Sequence, residues 1–256
     1  AVELAWGQPV DGARLVAAHP SPALYAMVHA ETSTGVRSDV AAMGAAKGDA
    51  LLLVDCVTSL GGVELRIDDW GVDLAYSGSQ KCLGVAPGLA PVTVSDRAME
   101  RIRPTPQSWY LDFNMIKAYV VGEGARAYHH TAPISMIMSL HAGLGAVLDE
   151  GLGAVQARHQ AAGDAVKDGM VGLGFELFAA EGHRLAPLSS IRIPDGRLGS
   201  TSEAEVRRRL LVEYGIEVGG GLGPVAGQVW RIGTMGHTAR QKNVTTLLAA
   251  LTDLLD

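Results

Sequence analysis

One short apolar segment constrains the fold of this chain more than any other feature. Residues 51–55 have the sequence LLLVD, an unbroken apolar run that ends in a carboxylate. A strand without alternating polar positions is typical of a parallel sheet, because helices cover both faces of such a sheet. Further apolar runs at 72–77 and 89–94, with helical patterns at 36–48 and 96–103, continue the alternation. The chain is therefore predicted to have an α/β fold with a mainly parallel sheet.

The remaining segments predict a second, smaller domain after about residue 150. We expect a large domain over residues 1–150 and a small α+β C-terminal domain over residues 151–256. The other predicted elements are a helix at 11–18, an apolar run at 23–30 with a polar loop at 31–35, an irregular segment at 104–124, one helical region at 133–172 that is either continuous or interrupted, strands at 189–193 and 229–232, and helices at 202–214 and 241–255.

Composition indicates a soluble protein of enzyme size. The chain has 256 residues, of which 48% are hydrophobic, and no apolar run approaches the roughly 20 residues that a membrane helix needs. A net charge of −6 argues against a nucleic-acid partner. Cys56 and Cys82 have neither a CxxC nor a zinc spacing, which favours a reduced, cytoplasmic location and predicts no metal site.

Lys81 is the residue with the clearest chemical signal. It lies in the small-residue loop SGSQKCLG at 77–84, directly after an apolar run. A lysine that forms a Schiff base reacts as the neutral amine, which burial and nearby positive charge favour. Small neighbours also let a flat cofactor approach the backbone. On these residues alone, a surface lysine in a glycine-rich turn remains an equal alternative.

Asp55 supplies a second element of the same chemistry. A carboxylate at the end of a buried strand can pair with a protonated ring nitrogen and make the ring an electron sink. The alternative is that Asp55 caps a turn beside Thr58 and Ser59. Considered alone, Asp55 is better interpreted as the cap of a turn. Considered together with the Lys81 loop, it is better interpreted as a cofactor-binding residue.

The order and spacing of several motifs resemble the class V pyridoxal-phosphate (PLP) aminotransferases. Within that class, the chain is most similar to the alanine–glyoxylate and serine–glyoxylate (serine–pyruvate) enzymes. The motifs are WGQP at 6–9, HAETSTG at 29–35, DCVTSLGG at 55–62, DWGVD at 69–73, SGSQK at 77–81 and PGLA at 87–90. The resemblance implies the PLP-dependent transferase fold type I. The matching motifs start part-way along the family's sequence. We therefore expect an incomplete large-domain sheet and a missing N-terminal part, which in the family contains the glycine-rich turn at the cofactor phosphate.

The resemblance also implies PLP as the cofactor and a role for each matching residue. Lys81 would carry the cofactor as a Schiff base and move a proton between substrate and cofactor. Asp55 would hold the ring nitrogen, and Val57 would pack on one face of the ring. Thr32 would bond near the phenolic oxygen, and Gln80 would contact the phosphate.

Two more distant segments complete the predicted site. The run YHHT at 128–131 resembles the family segment whose Tyr and Thr reach the phosphate of the partner subunit's cofactor, so the resemblance implies a homodimer that uses Tyr128 and Thr131. Arg231 resembles the arginine that binds the substrate's α-carboxylate, for which its planar fork is suited. Without the resemblance, a surface ion pair would be the favoured interpretation of Arg231.

The predicted function is transamination between a small amino acid, alanine or serine, and a 2-oxo acid such as glyoxylate or pyruvate, by a ping-pong mechanism. One alternative is a class V lyase such as a cysteine desulfurase, which would need a mobile nucleophilic cysteine. Neither Cys56 nor Cys82 lies in a suitable loop. A second alternative is an inactive truncated fragment that only folds or dimerises.

Overall fold

Two four-stranded sheets organise the chain, which the computed structural model describes over residues 2–105, 107–122 and 127–255. The strands are β1 (Leu24–Val28), β2 (Ala30–Glu31), β3 (Val36–Arg37), β4 (Leu51–Asp55), β5 (Leu74–Tyr76), β6 (Val92–Val94), β7 (Glu176–Leu177), β8 (Leu188–Arg192), β9 (Gly219–Gly220) and β10 (Val229–Gly233). The helices are α1 (Gly12–Ala18), α2 (Val40–Ala46), α3 (Asp96–Met99), α4 (Phe113–Val120), α5 (Ile134–Glu150), α6 (Leu152–Gly172), α7 (Glu203–Tyr214) and α8 (Gln241–Leu255).

The first sheet has the order β1-β4-β5-β6 and is mainly parallel, as predicted. Strands β1, β4 and β5 run parallel, and β6 pairs with β5 in the opposite direction. Its core contains Tyr25, Met27, Leu52 and Val54, which pack with Met43 of α2. The buried apolar side chains of β4 confirm the interpretation of the LLLVD segment as an interior strand.

The second sheet, with the order β7-β8-β10-β9, is antiparallel and belongs to a separate core. Trp230 of β10 and Ile191 of β8 are fully buried against Met170, Leu210 and Leu251 of three helices. This arrangement has the composition expected of a small α+β domain. The two cores draw on residues 10–75 and 162–255, while a boundary at residue 150 stays a prediction.

Three predicted segments differ from the structure. In the predicted helix 36–48, Val36 and Arg37 instead form β3, which pairs with β2, and α2 begins only after Asp39. The helix predicted at 96–103 ends at Met99. The segment 104–124, predicted to be irregular, contains α4, whose first turn is capped by Asp112. Residues 106, 123 and 124 lie outside the described residues.

Two consecutive helices account for the predicted helical region 133–172. Gly151 separates α5 from α6 with a φ of 87°, a conformation that favours glycine. The interrupted alternative is therefore correct. Among the helices in the described ranges, none is both long enough and apolar enough to cross a membrane.

A buried ionic cluster joins the N-terminal ends of β4 and β5. Asp73 accepts hydrogen bonds from Lys47 Nζ (3.1 Å), the Leu52 amide (2.9 Å), Ser95 Oγ (3.1 Å) and Arg97 Nη2 (2.7 Å). Burial would raise the pKa of Asp73, but the bonds from Arg97, Leu52 and Lys47 hold it well below its usual range. The stabilisation is thus present above about pH 4 and is lost as the pH falls below that value.

Replacing Asp73 by Ala should destabilise the fold strongly, because it leaves the buried Lys47 ammonium without its carboxylate. We expect a loss of about 3–5 kcal/mol in the free energy of unfolding, measured by urea denaturation at pH 7. Asp69→Ala is the matched control, since Asp69 pairs with Arg66 at the surface, and its loss should cost about 0–1 kcal/mol. Equal losses for the two variants would contradict the structural role of the Asp73 cluster.

Candidate active site

Five of the residues that the sequence singles out lie at one edge of the first sheet. Val28 pairs with Asp55 and Asp55 with Tyr76, so the last residues of β1, β4 and β5 lie side by side. The loops that follow these strands therefore leave the sheet together, at the edge where ligands bind in open α/β sheets. The segments carry Thr32 after β1 and the short strand β2, Val57 after β4, and Gln80 and Lys81 after β5.

Asp55 is held by two hydrogen bonds that use both of its carboxylate oxygens. Oδ1 accepts from the Val57 amide (2.8 Å), and Oδ2 accepts from the Tyr76 hydroxyl (2.8 Å). The bond to Asp55 raises the pKa of Tyr76 to about 12, so the phenol stays a donor. The turn bond that the sequence suggested as an alternative is thus present, and it orients the carboxylate while leaving lone pairs free for a further partner.

Lys81 lies in a loop that hydrogen bonds tie to the segment after β4. Ser77 Oγ donates to the Cys56 carbonyl (3.0 Å), and Cys82 Sγ donates to the Thr58 carbonyl (3.3 Å). The Lys81 side chain itself is half-buried. These bonds on both sides of the lysine fix its backbone next to the loop that begins at Asp55.

Arg231 connects the second sheet with the loop after β1. Its Nε donates to the Gly220 carbonyl (2.8 Å), and its Nη1 lies 3.4 Å from the Thr32 carbonyl. The side chain is half-buried. The structure therefore brings Arg231 to the same loop as Thr32, although 199 residues separate them along the chain.

Residues 128–131 belong to a separate aromatic cluster. The hydroxyls of Tyr128 and Thr131 are 2.6 Å apart, and the Tyr128 ring is mostly exposed. The His129 ring stacks on Trp109 at 4.3 Å between centroids, and its Nε2 donates to the Trp109 carbonyl (2.8 Å). Within the described ranges, no hydrogen bond joins this cluster to the loops of the sheet edge. Among the described residues, the structure therefore does not bring Tyr128 and Thr131 into hydrogen-bond contact with the other predicted site residues.

Comparison with known proteins identifies the family. Residues 14–244 match the family described as aminotransferase class-V. The chain belongs to this class-V aminotransferase family. The predicted family and the predicted fold type I are therefore confirmed, because similar solved structures of the same family cover the whole chain.

The relatives include several enzymes that use glyoxylate. The (S)-ureidoglycine–glyoxylate transaminase of Bacillus subtilis (strain 168) is 34% identical over 280 residues, which cover 99% of this chain and 66% of that protein. The alanine–glyoxylate aminotransferase of Drosophila melanogaster is 34% identical, with coverage of 99% and 66%. A solved alanine–glyoxylate aminotransferase from Nostoc sp. superimposes with a TM-score of 0.92 at 42% identity, covering 100% of this chain and 68% of that one. The chain thus spans about two thirds of the length of these proteins.

Pyridoxal phosphate is the cofactor that the family implies, and the residues at the sheet edge fit it. A carboxylate with free lone pairs suits a protonated ring nitrogen, and a half-buried lysine suits a Schiff base. Asp55 and Lys81 supply these two groups from neighbouring loops. The individual roles of Asp55, Lys81, Thr32, Val57 and Gln80 stay predictions.

Sequence reasoning missed Tyr76, the hydroxyl that orients Asp55. The signal was available, because both residues end apolar runs that were predicted to be strands of one parallel sheet. Aligning the ends of the runs 51–55 and 72–77 would have placed Tyr76 within one residue of Asp55. Because segment 72–77 was interpreted as apolar, the hydrogen bond from Tyr76 to Asp55 was not predicted.

Proposed function

We propose that the protein is a PLP-dependent aminotransferase that moves an amino group from a small amino acid to glyoxylate or a similar 2-oxo acid. The observation that carries this proposal is the meeting of Asp55 and the Lys81 loop at one sheet edge, with Arg231 reaching the adjacent loop. These three residues supply a ring-nitrogen partner, an amine and a carboxylate-binding fork.

Asp55 and Lys81 would have different roles in the reaction. When bound, pyridoxal phosphate supplies a ring that withdraws electrons from the substrate's α-carbon. Asp55, oriented by Tyr76 and the Val57 amide, would keep the ring nitrogen protonated. Lys81 would hold the cofactor covalently between turnovers and, once displaced by substrate, would take up and return the proton at the α-carbon.

Three further residues would complete the cofactor's surroundings. Val57 would pack against the ring, Thr32 would bond near the phenolic oxygen, and Gln80 would contact the phosphate. The exposed position of Gln80 and the half-buried positions of Val57 and Thr32 leave all three accessible to a ligand at the sheet edge.

Arg231 would bind the α-carboxylate that amino donors and oxo acceptors share. One side of its guanidinium is anchored on Gly220, which leaves N–H groups for a carboxylate. The names of the two curated relatives have glyoxylate in common and differ in the donor. We therefore propose glyoxylate as the acceptor, with pyruvate as the next choice, and alanine or serine as the donor.

A lyase that uses a cysteine nucleophile is the less favoured alternative. Cys56 and Cys82 are both buried, and burial raises the pKa of each thiol to about 12. A cysteine desulfurase needs a mobile thiolate, which neither residue offers. The same free, buried thiols support a cytoplasmic location, which we propose on that basis.

Borohydride reduction should fix pyridoxal phosphate on Lys81. The purified protein with added cofactor is expected to absorb visible light as a Schiff base, and the reduced protein should yield one labelled peptide that contains residue 81. Lys81→Ala should abolish both signals, whereas the exposed-surface control Lys242→Ala should keep them. A label elsewhere would overturn the assignment, and no cofactor uptake at all would favour the inactive fragment.

Arg231→Ala should raise the KM of the amino donor and of the oxo acceptor together. The variant loses a charged hydrogen bond to a group that both substrates share, so we expect a rise of about 10- to 100-fold in each KM. Arg209→Ala, which removes a surface guanidinium paired with Glu213, should leave both values unchanged. If only one KM rises, Arg231 does not bind the common carboxylate.

We also propose that the protein is a homodimer in which Tyr128 and Thr131 face the cofactor of the partner subunit. Their hydroxyls share one hydrogen bond, and the exposed Tyr128 side chain is accessible to a second subunit. Helix α5, which follows them, exposes a row of apolar side chains that a second subunit could cover. These are Ile134, Met136, Ile137, Met138, Leu144 and Leu148.

Mixing two defective subunits tests this dimer directly. Lys81→Ala and Thr131→Ala proteins should each have low activity. After denaturation and renaturation of an equal mixture, activity should reach about a quarter of the wild-type value, because half of the dimers are hybrids and each has one intact site. If Thr131 acts within its own subunit, no such gain will appear.

A further inference from the structure

The turn after β10 is held by hydrogen bonds to both backbone groups of one residue, Gly236. The Gly236 amide donates to Nε2 of His159 (2.9 Å). The Gly236 carbonyl accepts from Nη1 of Arg158 (2.8 Å), which also donates to the Ala239 carbonyl (3.1 Å). Two consecutive residues of α6 therefore fix both the position and the orientation of this turn.

His159 is suited to this contact only in one neutral form. Its ring is fully buried, and Nδ1 lies 2.7 Å from the Val155 carbonyl. Because a carbonyl can only accept, Nδ1 carries the proton, and Nε2 is left to accept from Gly236. Burial, helped by the Arg158 charge, lowers the pKa of His159 and favours this neutral form.

Arg158 is fixed from its other side by Glu150 near the end of α5. Arg158 Nε and Nη2 donate to the two Glu150 carboxylate oxygens at 2.6 and 2.9 Å. Such a bidentate pair has a defined geometry. The guanidinium thus links α5, α6 and the Gly236 turn.

The backbone of the turn lies directly against the Lys81 loop. Gly236 has a φ of +54°, and a Cβ at this position would lie 2.7 Å from Gly84 Cα and 3.3 Å from the Lys81 carbonyl oxygen. The Gly84 amide in turn donates to that Lys81 carbonyl (3.0 Å). On its other side, the turn continues from β10, which carries Arg231 five residues earlier.

We propose that Arg158 and His159 are positioning residues that set the distance between the Lys81 loop and the strand of Arg231. This role rests on the proposed function, in which the lysine acts at the α-carbon of a substrate whose carboxylate is held by Arg231. The pair acts through the backbone amide and carbonyl of Gly236. A shift of about 1 Å between reacting groups can cost roughly 100-fold in rate, so the fixed turn determines how well Lys81 reaches the α-carbon.

Hydrogen exchange on the protein without added cofactor tests the physical link. His159→Leu removes the acceptor for Gly236, and we expect amides of residues 79–86 and 233–239 to exchange about tenfold faster or more. His159→Gln keeps a neutral acceptor and should restore most of the protection. Gln160→Leu, an exposed neighbour on α6, is the matched control and should leave both segments unchanged.

Arg158→Gln provides a second variant if His159→Leu does not fold. It keeps an uncharged donor toward Gly236 but loses the bidentate link to Glu150. The exchange rates of the same two segments should therefore rise, but by less than in His159→Leu. If the exchange of residues 79–86 is unchanged in a folded His159→Leu or Arg158→Gln protein, or if His159→Gln behaves as His159→Leu does, the positioning role is overturned.

Steady-state kinetics separates positioning from general damage to the fold. In His159→Leu, the Lys81 loop should shift while Arg231 stays in place on β10. We therefore expect kcat to fall about 10- to 100-fold, and the KM of the amino donor to change less than about threefold. A rise in KM with unchanged kcat would reject the proposal. If the wild-type protein has no transaminase activity, the proposed function fails, and the exchange measurements still decide whether the turn is linked to the lysine loop.

Discussion

The parallel pairing of β1, β4 and β5 is the constraint on which the rest of the structure depends. Parallel strands in register end at the same edge, so Val28, Asp55 and Tyr76 come to lie side by side. Every loop that carries a predicted cofactor-binding residue of this sheet starts from that row. A shift of one residue in the pairing of β4 would turn Asp55 to the opposite face and remove it from the Tyr76 hydroxyl.

The two ends of this sheet are stabilised by different physical means. At the N-terminal ends of β4 and β5, Asp73 joins Lys47 and Arg97 in a buried ionic cluster. At the C-terminal ends, hydrogen bonds from side chains to backbone carbonyls hold the loops together, and the Gly236 turn covers the Lys81 loop. Two cations thus surround a buried carboxylate at one end, whereas uncharged side chains tie the loops together at the other.

Local patterns predicted those parts of the fold whose cause is local. The strand 51–55 followed from an unbroken apolar run, and the helix predicted at 202–214 corresponds to α7, which Ser202 caps. The segment 104–124 was predicted to be irregular because of its prolines and tryptophan, and the Asp112 cap within it was overlooked. Val36 forms a strand rather than the start of a helix because it pairs with β2, a contact that no helical pattern reveals.

Residues of the candidate site could be predicted where their neighbours in the sequence form a recognisable motif. Lys81 and Asp55 lie in recognisable loops, and the family resemblance supplied Arg231. His159 could not be found in this way, because it lies in an ordinary helical sequence and meets Gly236 77 residues later. Its importance depends on burial and on a backbone partner, and neither is visible in the local pattern.

The number of hydrogen bonds at a carboxylate distinguishes Asp73 from Asp55 in this fold. Asp73 accepts five hydrogen bonds, two of them from the Arg97 fork, and so has no remaining capacity for a ligand. Among the described residues, Asp55 accepts two, from neighbours that orient it without neutralising its charge. A carboxylate that is oriented but not saturated, beside a half-buried lysine, is the combination that a protonated cofactor ring requires. The same comparison would have favoured Asp55 over Asp73 even without any known relative.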